Sequence, residues 1–102
     1  MESALLLKNI LKRFKERGIA QVQGYNRFGY LDETESLVKV SRENGKDTSV
    51  SFKSILIGID AYQKDNELYD MGPSALRAYG ITHVTSPVYA LLHLLDKAEY
   101  YK

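Results

Sequence analysis

The chain reads as an α+β domain with an N-terminal helix, a three- to four-stranded antiparallel meander, and then three C-terminal helices. Apolar residues recur at helical spacing before residue 18 and after residue 52, while between them the period falls to two and glycine becomes frequent. Strands thus fall in one block and most helices in another, a segregation that favours α+β over a parallel α/β sheet. With 102 residues, 44% of them hydrophobic and 26% charged, the composition is that of one globular core, so residues 1–102 are taken as a single domain.

The first element is predicted over residues 3–17. Ser3 stands where an N-cap belongs, Leu7, Ile10, Leu11 and Phe14 follow the i, i+3, i+4, i+7 pattern, and Gly18 is a C-terminal stop. Lys8, Lys12 and Lys15 share the opposite stripe, with Arg13 and Arg17 beside it, so five cations are expected on the solvent side of this helix.

Strands follow at 19–24, 28–32, 36–42 and 47–52. The loop between the last two can be settled by register. A two-residue turn at Asn44-Gly45 would set Val40 opposite Ser49, whereas a three-residue loop, Glu43-Asn44-Gly45, with Gly45 left-handed pairs Val40 with Thr48 and Val38 with Val50. The second register gathers Val38, Val40, Val50 and Phe52 on a buried face and leaves Lys39, Ser41, Ser49 and Ser51 on the other.

Ile55, Leu56, Ile59 and Tyr62 then mark a helix capped at Lys53 or Ser54. After a polar stretch, Gly72-Pro73-Ser74 opens a short helix that Gly80 closes, and residues 81–85 are extended. Ser86-Pro87 opens the last helix, which carries Val88, Leu91, Leu92 and Leu95 on one face and runs to Tyr101-Lys102 without a Gly or Pro stop. A chain that ends in mid-helix with Tyr100 and Tyr101 exposed is what a module of a longer protein would show.

Composition also excludes chemistry. The absence of cysteine removes disulfides, thiolate metal sites and a cysteine nucleophile, and fits a reducing, cytoplasmic setting. No apolar run reaches the ~18 residues of a membrane span. Phosphate-loop, dinucleotide, hydrolase-elbow and zincin motifs are missing, and the two histidines, His83 and His93, supply at most half a zinc site through His93 and Asp96. Asp32, Glu33 and Glu35 form a carboxylate cluster of the kind turns commonly carry. The expectation is a non-enzymatic domain with no cofactor and no metal.

Charge is the remaining signal. Net charge is +1, yet residues 1–31 hold six basic groups against two acidic, and residues 32–70 hold five against nine. Such an asymmetry permits a basic face for nucleic acid. Tyr25-Asn26-Arg27-Phe28-Gly29-Tyr30 alternates aromatics around a glycine, as stacking platforms for single strands do, although the same alternation serves a hairpin core. Ser74, Arg77 and Ser86 stand at or near two Pro-initiated helix starts, where free N–H groups receive phosphate, or where serines merely cap. Residues 87–95 lack Arg, Lys, Asn and Gln, so a helix-turn-helix reading has no groove-reading side chains.

Two functions follow as expectations. The first is a nucleic-acid-binding recognition domain, DNA before RNA, able to serve as the specificity module of a larger protein. Its contacts would come from Lys8, Lys12, Arg13, Lys15, Arg17, Tyr25, Arg27, Phe28, Tyr30, Ser74, Arg77 and Ser86. The second is a protein-interaction or regulatory domain in which Tyr89, His93 and Tyr100, a second stripe beside the leucine face, dock on a homodimer partner or on the rest of a longer chain.

Overall fold

A computed structural model describes residues 2–101. Their order is α1 (Ser3–Arg17), β1 (Ile19–Ala20), β2 (Phe28–Glu33), β3 (Leu37–Arg42), β4 (Thr48–Ser51), α2 (Phe52–Lys64) and α3 (Thr85–Leu92). Short 3-10 segments cover Asn66–Asp70, Pro73–Tyr79 and Lys97–Tyr100. The fold is α+β, with one antiparallel sheet in the order β1-β2-β3-β4.

The helical sequence of α1 is rotated by about one residue from the expected stripe. Leu6, Ile10 and Phe14 are buried, at i, i+4, i+8, while Leu7 and Leu11 flank them half-buried. Ser3 is not the cap. Glu2 holds that position without a side-chain bond, and the Ser3 hydroxyl instead donates to Asp60 and, at 3.3 Å, to Gln63, tying α1 to α2. Gly18, at φ +76°, ends the helix with its N–H on the Phe14 carbonyl.

In the sheet, Val38 faces Val50 and Val40 faces Thr48, the register of the three-residue loop, with Gly45 at φ +84° and its N–H on the Arg42 carbonyl at 3.0 Å. Val38, Val40 and Val50 are fully buried, and Lys39, Ser49 and Ser51 stay exposed on the opposite face. Phe52 departs from the expectation. Ser51 caps α2 by accepting from the Ser54 N–H at 3.1 Å, so Phe52 becomes the first helical residue and is only half-buried. A bulge between Tyr30 and Asp32 interrupts the alternation of β2 and leaves Leu31 45% exposed.

The two central helices approach closely because Gly58 lies at their contact. A Cβ there would sit 2.8 Å from Leu92 Cδ1 and 3.4 Å from Val88 Cγ1. α3 is buried on nearly every side, as a helix apolar all round must be. It stops at Leu92, well short of Tyr101, and Lys102 lies outside the described residues. Asp96 and Glu99 form a reciprocal capping box that starts a separate 3-10 turn, which folds Tyr100 back so that its hydroxyl donates to the Leu92 carbonyl. Tyr100 is therefore 3% exposed, against the expectation of an exposed aromatic end, while Tyr101 is 49% exposed.

Beneath this turn Tyr62 meets Tyr69, Tyr100 and His93 edge-to-face, with Tyr62 to Tyr100 ring centroids 5.2 Å apart. Among the described residues the buried Tyr62 hydroxyl has no hydrogen-bond partner. A desolvated, unpaired hydroxyl destabilises a fold by about 1–3 kcal/mol. Tyr62→Phe should accordingly raise stability at neutral pH by about 1 kcal/mol, read as a higher urea midpoint at constant m-value. A lower midpoint would mean that the hydroxyl has a partner, such as a buried water.

Candidate functional site

The basic face of α1 contains fewer cations than its sequence suggests. Lys8, Lys12 and Lys15 are exposed and share a groove of about 350 Å³ with Leu11 and Glu33. Neither ion pair found among the described residues involves them. The groove runs beside the part of β2 that β1 leaves uncovered, since β1 pairs only with Phe28 and Gly29. Beyond that pairing the Tyr30 N–H donates to the Gly18 carbonyl at 2.9 Å, anchoring the strand to the end of the helix.

Arg13 is engaged within the fold. Its guanidinium donates twice to Glu99, at 2.7 and 2.9 Å, and once to the Leu94 carbonyl at 2.9 Å. The hydrogen bond to Glu99 raises its pKa further. This fork holds the C-terminal turn against α1, and it uses donors that a phosphate would need. Arg13→Ala should lower stability by about 1–2 kcal/mol, a charge-assisted pair discounted for its partial exposure, and leave affinity for any polyanion nearly unchanged. Thermal unfolding and a binding titration on the same variant separate the two effects. Arg17, in contrast, is exposed at the helix end.

The aromatic platform is largely internal. Phe28 is 1% exposed, its ring covered by the Arg42 guanidinium at 5.6 Å, so it does not stack on a ligand. Tyr30 is half-buried edge-on to Phe14 and its hydroxyl donates to Glu33 at 2.9 Å. Tyr25 remains 45% exposed but packs edge-on against Tyr89, at 5.4 Å. The hairpin-core reading of this alternation therefore accounts for Phe28 and Tyr30, and Asn26 and Arg27 are the exposed polar groups left from that segment.

Ser74 and Arg77 are exposed on the 3-10 segment, which packs on α2 and α3, whereas the lysine groove borders β2. Gly72 and Val84 occupy the N-cap positions, so neither Ser74 nor Ser86 caps its helix. The second stripe is also turned into the fold. Tyr89 is 5% and Tyr100 3% exposed, and both ring nitrogens of His93 lie 2.8 Å from backbone carbonyl oxygens, of Tyr89 and Tyr69. These side chains bind the C-terminal part of the chain to itself.

A second concavity, of about 270 Å³, opens on the outer side of the sheet beyond Gly18. Arg27, Arg42, Ser41 and Glu43 line it with Ile19 and Gly29. Only Arg27 of these was singled out by sequence. The pairing of Gly29 with Ser41 and of Phe28 with Arg42 brings the others together across β2 and β3, a register that no tight turn between those strands announces. Among the described residues no group of three or more His, Asp or Glu side chains is arranged to hold a metal, and no helix is long and apolar enough to cross a membrane. The chain matches no family model, no curated protein and no solved structure.

Proposed function

We propose that this domain binds nucleic acid, with Lys8, Lys12 and Lys15 positioning the phosphate backbone along the groove between α1 and β2. The observation that carries this reading is the stripe itself: three exposed lysines on one helical face, outside both ion pairs among the described residues, around a groove that Leu11 and Glu33 also line. Unpaired cations in a row suit a polyanion, because each can displace a condensed counterion without first giving up a partner. Arg17 and Arg27, both exposed, extend positive charge past the end of α1. Docking through Tyr89, His93 and Tyr100 has no comparable support, since those groups are used within the fold.

The test is fluorescence anisotropy of labelled duplex DNA, single-stranded DNA and RNA, each titrated with protein at about 50 and 200 mM salt. Affinity that falls steeply between the two salts supports the reading. Absence of binding to all three at the lower salt refutes it.

A further inference from the structure

Resting on that reading, we infer that the recess beyond Gly18 is a nucleobase pocket, and that the strand which lies along the lysines is therefore single-stranded. Position is the first argument. Lys8 to Gly18 spans about 15 Å of helix axis at 1.5 Å per residue, and Gly18, which ends α1 three residues beyond Lys15, lines the recess.

Chemistry is the second. A pocket for phosphate alone would offer donors only, yet here Glu43, a carboxylate, lines the recess with Arg27 and Ser41. A phosphate oxygen is repelled by that carboxylate. A base edge carries amino donors as well as ring acceptors and uses both kinds of group. The floor suits a flat apolar ring: Ile19 is 39% exposed, and Gly29 has no side chain where a Cβ would lie 2.5 Å from Ser41 Oγ. The walls are partly fixed before any ligand arrives. Glu43 accepts from the Arg27 backbone N–H, whereas Arg42 carries its guanidinium over the Phe28 ring on the other face of the sheet. Guanidinium planes are common stacking partners for splayed bases, and a paired base in a duplex cannot enter such a recess.

The experiment compares two labelled single strands of about twelve nucleotides, one of mixed sequence and one with the same phosphates but abasic sites throughout, together with a duplex of the mixed sequence. The base-bearing strand is expected to bind about tenfold more tightly than the abasic one, and more tightly than the duplex. Gly29→Ala, whose methyl group displaces only the rotatable Ser41 hydroxyl, should bring the tenfold ratio close to one without changing affinity for the abasic strand, and Arg27→Ala, at an exposed position, should weaken the base-bearing strand more than the abasic one and so lower the ratio. Equal binding of the two strands by the wild type, a ratio untouched by Arg27→Ala, or a preference for the duplex overturns the pocket while the lysine stripe stands. If no oligonucleotide binds, the stripe and the pocket fail together.

Discussion

Replacing Lys8, Lys12 and Lys15 together by glutamine is expected to abolish most of the affinity for a single-stranded oligonucleotide, by about two orders of magnitude at about 50 mM salt. The magnitude follows from counterion release. Three phosphate contacts to a single strand give a slope of about −2 in log affinity against log salt, which between about 1 M and 50 mM amounts to several hundred-fold. The same slope predicts roughly a 20-fold loss for the unmodified protein between about 50 and 200 mM, and the triple variant should be nearly insensitive over that range. Glutamine keeps helix propensity and all three positions are exposed, so the unfolding midpoint should stay within about 0.5 kcal/mol of the parent. Charge reversal to glutamate should weaken binding further, with Glu33 in the same groove adding to the repulsion. A triple variant that still binds with an undiminished salt slope would place the polyanion elsewhere on the molecule.

The lysines were legible because a surface stripe needs only helical periodicity, and periodicity tolerates an error of one residue in where the apolar face is centred. Leu6 in place of Leu7 as a core residue leaves Lys8, Lys12 and Lys15 outside either way. Partners distant in sequence were not legible. Arg13 looked like its neighbours until the chain end folded back to set Glu99 beside it, 86 residues away. The β3–β4 register could be derived because a three-residue loop with a left-handed glycine admits only one pairing of the valines. The β2–β3 register depends on a bulge at Leu31 with no turn motif to announce it, and the recess of Arg42, Glu43 and Gly29 was hidden with it. At the C-terminus a signal was present and outweighed. Asp96-Lys97-Ala98-Glu99 has capping-box spacing, but the leucine periodicity before it reads straight through the break at Leu92.

That same fold-back makes the protein an alkaline-labile one. Burial is the main cause that pushes the phenol pKa values of Tyr62 and Tyr100 well above the ordinary value, with neighbouring tyrosines adding to it, and Tyr69 and Tyr89 move in the same direction, again chiefly through burial. In the unfolded chain each ionises near pH 10. Above that pH the unfolded state has released protons that the folded state still holds, so stability is intact below pH 10 and declines as pH rises past it. Each such tyrosine contributes about 1.4 kcal/mol per pH unit, so Tyr62 and Tyr100 alone remove about 5 kcal/mol by pH 12, comparable to the whole stability of many small domains. Cooperative unfolding is therefore expected between about pH 10 and 12, with loss of far-UV circular dichroism coinciding with the appearance of phenolate absorbance from the buried rings. Tyr62→Phe separates this account from general alkaline damage. The variant should start slightly more stable at neutral pH and lose stability with a slope shallower by about 1.4 kcal/mol per pH unit, because one of the protons retained only in the folded state is gone. If urea midpoints of parent and variant fall in parallel from pH 9 to 11, ionisation of Tyr62 does not drive the transition, and the tyrosine cluster beneath the C-terminal turn is open to hydroxide before the fold gives way.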